Sequence, residues 1–176
     1  MLIGCTTQDN TKTEGMPTKN WETYRNDIDK IQFQYPNGFN LTLEISQTSK
    51  GSRAYFTNYG RPDESGLPPL GGAHINYVSL PYKSVEFDRY IEERTVLSDY
   101  PDSKTETTMD GLPAIRLEGE SPKRSNPAQI VKEITYLTHD EERMYQFFIE
   151  YFKGDPNSAK LEEDFESMMK TVKILS

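Results

Sequence analysis

The stretch Met144-Tyr145-Gln146-Phe147-Phe148-Ile149-Glu150-Tyr151-Phe152 is followed by Asp155-Pro156 and then by Leu161, Phe165, Met168, Met169 and Val172. In its first part Tyr145, Phe147, Ile149 and Tyr151 alternate with Gln146, Phe148, Glu150 and Phe152. A period of two is that of a strand, and large side chains on both faces predict an inner strand covered from two sides. Asp155-Pro156 reads as the cap and first-turn pair of a helix. The apolar residues after it form a helical stripe, with the methionines as gap-fillers. Glu162, Glu163, Asp164 and Glu166 make the solvated face, favoured by lying early in the helix near its positive end.

Working outward, Trp21–Tyr24 opens the ordered part. Ile31, Phe33 and Tyr35 alternate with Gln32 and Gln34, which predicts a strand with one dry face, and Leu41, Leu43 and Ile45 alternate with Thr42 and Glu44, which predicts a second strand. Pro36-Asn37-Gly38 between them supplies turn chemistry, and the pair reads as a hairpin. Arg53–Thr57 reads as a short strand, 58–72 as irregular, and Ala73–Leu80 as a near-continuous strand ended by Pro81. Val85–Leu97 predicts an amphipathic helix, N-capped by Ser84, with Phe87, Tyr90, Ile91 and Leu97 on one face. Strands follow over Lys104–Met109, Ala114–Glu120 and Ile130–Thr138, the first two joined by the strong turn signal Asp110-Gly111. Successive hairpins with two helices predict an α+β fold, a mostly antiparallel sheet with helices packed on it.

Composition narrows the function. The 176 residues allow residues 1–20 as a polar tether and residues 21–176 as one domain with a real core. A net charge of −8 argues against nucleic acid and against electrostatic docking on anionic lipid. No apolar run approaches the roughly 18 residues of a membrane helix.

Leu2-Ile3-Gly4-Cys5 has the form of a bacterial lipobox, and Cys5 is the only cysteine. Alkylation of its sulfur by diacylglycerol, then cleavage after the small Gly4, would leave Cys5 as the first residue. Each acyl chain would add about 0.8 kcal/mol of membrane affinity per buried CH₂. The Thr-, Asn-, Gln- and Lys-rich tract that follows, up to Lys19, reads as a flexible tether. This reading expects a signal peptide upstream of Met1 in the gene. It places a lipid-anchored domain in the cell envelope, on a periplasmic or extracellular face. If Met1 is the native start, Cys5 is an ordinary thiol and the protein is cytoplasmic.

Three groups of residues resemble the PsbP-like superfamily. Tyr24 with the strand Ile31-x-Phe33-x-Tyr35-Pro36 resembles its opening. Asp110-Gly111-Leu112-Pro113-Ala114 resembles its central turn. Phe165, Met168 and Met169 with Thr171-Val172-Lys173-Ile174 resemble its close. The resemblance spans roughly residues 21–175. It implies an antiparallel sheet sandwiched between helices, an α/β/α arrangement, and a non-enzymatic binding or assembly role. Plant members bind photosystem II and a yeast relative binds the GTPase Ran, but the residues that make those contacts have no match in this chain.

Catalytic signatures are missing from the sequence. No serine sits in a Gly-x-Ser-x-Gly elbow, Gly71-Gly72 leads into no phosphate loop, and the adjacent carboxylate pairs point to different sides of their helices. His74 and His139 are the only histidines. A metal-dependent hydrolase would need them to converge with a carboxylate such as Asp140 or Glu141; two unrelated surface histidines is the reading preferred here. No cofactor, metal site or catalytic residue is expected. Asn40-Leu41-Thr42 spells a glycosylation acceptor of a kind common by chance. Residues 55–70 form the best candidate recognition surface, with Arg53, Tyr55, Tyr59 and Arg61 supplying residue types that dominate binding hot spots. The expected function is a tethered, non-catalytic domain that binds a protein or envelope partner. A soluble small-ligand carrier with a cleft between sheet and helix is the alternative.

Overall fold

The computed structural model describes residues 20–47, 51–60, 67–81, 87–97, 103–123 and 126–175. Their chain order is β1 (Glu22–Asn26), β2 (Ile31–Tyr35), β3 (Asn40–Gln47), β4 (Gly51–Thr57), β5 (Ala73–Pro81), α1 (Phe87–Leu97), β6 (Thr105–Met109), β7 (Leu112–Lys123), β8 (Asn126–His139), β9 (Arg143–Phe152), α2 (Ser158–Met169) and β10 (Lys173–Ile174). Cys5, the tether and Arg61 lie outside the described residues, as does the start of the helix expected from Val85.

Among the described residues two sheets form, and all their pairings are antiparallel. The larger has seven strands in the order β3-β4-β5-β9-β8-β7-β6, and the smaller has three in the order β1-β2-β10. The central place of β9 agrees with its side chains. Tyr145, Phe147, Ile149 and Tyr151 are buried on one face, and Met144 and Gln146 on the other. On the first face, β9 packs with Ala54, Phe56, Ile75 and Tyr77 of its own sheet beneath Tyr24, Ile31, Phe33 and Tyr35 of the small sheet and Leu161, Phe165, Met168 and Met169 of α2. Phe33 lies edge-on to Phe56 at 5.8 Å and to Phe147 at 5.2 Å, geometry that suits the ring quadrupoles. On the second face, Phe87 and Ile91 of α1 meet Leu117, Leu137 and Met144. Helix α1 thus packs over part of the second face, and the small sheet and α2 pack on the first.

Asp110-Gly111 turns as its residue types require. Both have positive φ, 48° and 84°, the pattern of a tight hairpin turn. Asp110 also accepts hydrogen bonds from Lys173 Nζ at 3.2 Å and from the backbone N–H of Ile174 at 2.8 Å, which pins β10 to this hairpin.

Two sequence expectations are corrected. Strands β2 and β3 do not form a hairpin: β2 pairs with β1 and β10, and β3 with β4. The Pro36-Asn37-Gly38 turn carries the chain from one sheet to the other, and local alternation is blind to that choice. Leu41, Leu43 and Ile45 do lie on a strand, but they are 40%, 48% and 43% exposed, because β3 is an edge strand. Helix α2 starts later than Asp155-Pro156, with Asn157 as N-cap residue. Asp155 instead closes the turn before it, accepting the Asn157 N–H at 2.8 Å.

Candidate functional site

The candidate binding residues are positioned by β4. Ala54 and Phe56 are fully buried in the main core, so alternation places Arg53 and Tyr55 on the second face. The register sets Leu43 of β3 opposite Tyr55 and Ile45 opposite Arg53, while Asn76 and Val78 of β5 lie across from Tyr55 and Arg53 on the other side. The result is a continuous patch at one end of the sheet. Leu43, Ile45 and Arg53 are exposed, Tyr55 and Val78 are half-buried, and Asn76 is buried.

Arg53 is electrostatically unusual. Arg25, Arg89, Arg116 and Arg143 each pair with a carboxylate at 2.6–2.9 Å. Among the described arginine side chains, only Arg53 has no such partner, in a chain with 28 acidic and 20 basic residues. Glu44, next along β3, lies on the other face and accepts the Tyr24 hydroxyl at 2.9 Å.

Tyr59 sits elsewhere. Thr57, not Arg53, lies across from His74, which places Tyr59 and His74 at the opposite end of the β4–β5 ladder from Arg53. The Tyr59 hydroxyl is 3.3 Å from His74 Nδ1, and His74 Nε2 is 2.5 Å from Glu150 Oε2. This clasp ties β5, β9 and the loop after β4 together, with the imidazole buried and both its nitrogens engaged. The ends of the loop are pinned rather than loose. Asn58 Oδ1 accepts the Ala73 N–H at 2.8 Å, and the Gly71 N–H donates to Asp155 at 2.6 Å. A Cβ on Gly72 would come within 2.8 Å of the Tyr59 ring, so the two halves of the loop fit only with glycine there. The structure therefore brings Arg53 and Tyr55 together and assigns Tyr59 to the histidine clasp.

Leu43, Ile45 and Glu150 escaped the reading of sites from sequence. The aliphatic residues matched core periodicity, and only the strand order reveals that they sit at an edge. Glu150 did carry a signal: it is a carboxylate between Phe148 and Phe152 on the second face of β9, and such a group needs a partner.

The hydrolase reading fails on geometry. His74 pairs across the ladder with Glu150 and His139 with Met144, six residues apart on β9, a rise of about 20 Å and too far for one ion. His139 packs on Phe87, with ring centroids 4.6 Å apart. A cleft of about 180 Å³ lies between Leu70 and the segments around Ile130 and Phe152. It is smaller than the roughly 300–1,000 Å³ of small-ligand pockets, so it gives the carrier alternative little support.

No protein-family model matches the chain, and no curated protein matches it in sequence. Solved structures do match its fold. The PsbP protein of the cyanobacterium Synechocystis sp. PCC 6803 superposes with a TM-score of 0.57 at 12% identity, over 98% of both chains. The Ran-binding protein Mog1p of Saccharomyces cerevisiae gives 0.52 at 14% identity, over 89% of this chain and 96% of its own. LpqN of Mycobacterium tuberculosis, a protein involved in cell envelope biogenesis, gives 0.51 at 12% identity, over 89% and 86%. The chain spans about half, 48%, of a Bacteroides thetaiotaomicron structure that it also matches, at 8% identity and a TM-score of 0.56. The described domain has the PsbP-like fold.

Proposed function

We propose that this PsbP-fold domain is a non-catalytic binding module, carried by a lipid on Cys5 at the extracytoplasmic side of a membrane, and that it holds a protein or envelope partner through the face bearing Arg53 and Tyr55. The observation that carries the binding reading is the exposed patch of Leu43, Ile45, Arg53 and Tyr55. It combines uncovered aliphatic area with an aromatic side chain and a guanidinium that pairs with no carboxylate among the described residues, the composition of an interface centre rather than of a solvated surface. Two proteins of the same fold support it by analogy: Mog1p binds Ran and LpqN takes part in cell envelope biogenesis. Fold alone assigns neither role to this chain. The anchor rests on Leu2-Ile3-Gly4-Cys5 and the polar tract after it. Tyr59, tied to His74 at the opposite end of the β4–β5 ladder, falls outside this patch.

Two measurements test the proposal. The gene, expressed in its native cell with its upstream DNA, should yield a membrane-bound protein that Cys5→Ser releases; a soluble wild-type protein with an unmodified thiol removes the anchor. A photo-crosslinking amino acid at Leu43 should capture a discrete partner, whereas one at Thr105 on β6 should not. Equal or no capture at the two positions removes the binding face.

A further inference from the structure

Strand β3 ends the seven-stranded sheet, so β4 satisfies one side of its backbone and no strand among the described residues pairs with the other. Its exposed aliphatic side chains project from both faces. Leu41 lies opposite Phe56, on the main-core face, while Leu43 and Ile45 lie opposite Tyr55 and Arg53 on the second face, the switch being made by the register shift between Leu41 and Leu43. A partner resting flat on one face would leave the other set in water. A strand laid alongside β3 covers both, because its own side chains alternate. The opposite edge, β6, contrasts with this. Its residues Thr105, Glu106, Thr107 and Thr108 are polar and Met109 is buried, so a strand added there would cover no exposed aliphatic side chain.

Arg53 sets the charge of the incoming segment. Arg53 lies one strand in from the edge, directly across from Ile45, and its guanidinium pairs with no carboxylate among the described residues. Arginine presents a planar fork that matches a carboxylate in two hydrogen bonds. The net charge of −8 opposes an acidic ligand in general. At physiological ionic strength, however, charges further away than about 8 Å are largely screened, and the nearest carboxylate on β3, Glu44, is turned to the other face and held by Tyr24. The contact with Arg53 therefore outweighs the distant field.

We propose that β3 binds an extended segment of a partner protein by strand addition, with apolar residues of that segment over Leu43 and Ile45 and a carboxylate on Arg53. This rests on the protein-binding reading above and gives it a mode and a ligand chemistry.

The test uses the full chain and an end-capped eight-residue peptide of alternating valine and threonine in which one central valine is replaced by aspartate. Backbone amide shifts on titration should change in β3 and β4. The same peptide with lysine at that position should bind about tenfold more weakly, and Arg53→Gln should erase that difference. Methylating alternate backbone nitrogens, in versions covering either edge of the peptide, should abolish binding in the version whose docking edge is blocked. The proposal is overturned if the aspartate peptide leaves β3 unperturbed, if aspartate and lysine peptides bind equally, or if neither methylated version loses affinity. It is also overturned if sedimentation shows a dimer that Leu43→Lys dissolves, since a second copy would then occupy the edge. Crosslinking from Leu43 to a native partner together with failure of the peptide would reject strand addition alone; failure of both would reject the binding face itself.

Discussion

The carboxylate of Asp29, fully buried, meets the guanidinium of Arg143 at 2.8 Å, where the turn between β1 and β2 lands on the start of β9. Ser52 and Tyr77 donate to the same carboxylate, each at 2.9 Å, and the Tyr145 hydroxyl donates to the Asp29 backbone oxygen at 3.2 Å. One side chain in a turn of the small sheet thus collects donors from β4, β5 and β9. Asn26 prepares it by accepting the backbone N–H groups of Ile28 and Asp29 at 3.0 and 3.1 Å, an Asx-type turn.

Arg143→Met should destabilise the domain by about 3–5 kcal/mol, because a buried carboxylate would lose its counter-charge. Asp29→Asn combined with Arg143→Met should recover part of that loss. Urea unfolding checks both; a loss under 1 kcal/mol for Arg143→Met would show that the pair is not what docks the small sheet.

Tyrosine ionisation should coincide with unfolding at high pH. Burial, reinforced by nearby carboxylates, pushes the hydroxyls of Tyr24, Tyr77, Tyr136, Tyr145 and Tyr151 well above their ordinary value. Burial and Glu22 raise Tyr35 to about 12. A raised folded-state pKa gives stability that is complete below the unfolded value, about 10, and is lost as pH rises toward the folded value. Tyrosinate absorbance from these residues should therefore appear together with the loss of circular dichroism. Ionisation of all eleven tyrosines in a protein that keeps its folded circular dichroism would contradict the burial.

Acid should weaken the junction between α2 and the sheet. Glu118 is held below its usual range, first by its hydrogen bond from Lys132, against the opposing effect of burial, and then by Arg116. Lys132 and Arg116 go on to Glu162 and Glu166 of α2 at 2.9 Å each. A depressed carboxylate gives stability that is present above its unfolded value, about 4.3, and is lost as pH falls through the folded one. Glu118→Gln should lower stability at neutral pH and flatten its dependence below about pH 4.5. An unchanged acid limb in denaturation curves would show that the network is passive.

Surface and core variants should separate cleanly. Leu43→Lys and Arg53→Ala should leave stability within about 0.5 kcal/mol, whereas Phe165→Ala, at a fully buried site, should cost about 3–5 kcal/mol. Losses above about 1 kcal/mol at Leu43 or Arg53 would mean that the proposed binding patch is part of the packing.

Much of the fold was legible because periodicity is local. Alternation in β9 and the apolar stripe of α2 follow from the geometry of one strand and one helix, and each was correct in face as well as type. Asp110-Gly111 was equally readable, since few residue pairs accept positive φ twice in succession. Arg53 and Tyr55 were legible as residue types, although their shared face became visible only with β4 in register.

The sequence alone therefore determined both helices and most of the strands, the buried faces of β2, β9 and α2, and that the fold is an antiparallel α+β one. The tertiary structure decided that β2 and β3 belong to different sheets, that Leu43 and Ile45 face water, that Asp29 finds Arg143 and that His74 finds Glu150. The physical reason is common to all four. A dry face specifies that it must be covered but not by what, and a buried charge specifies that it needs a partner but not which one; those choices are made between segments far apart in the chain.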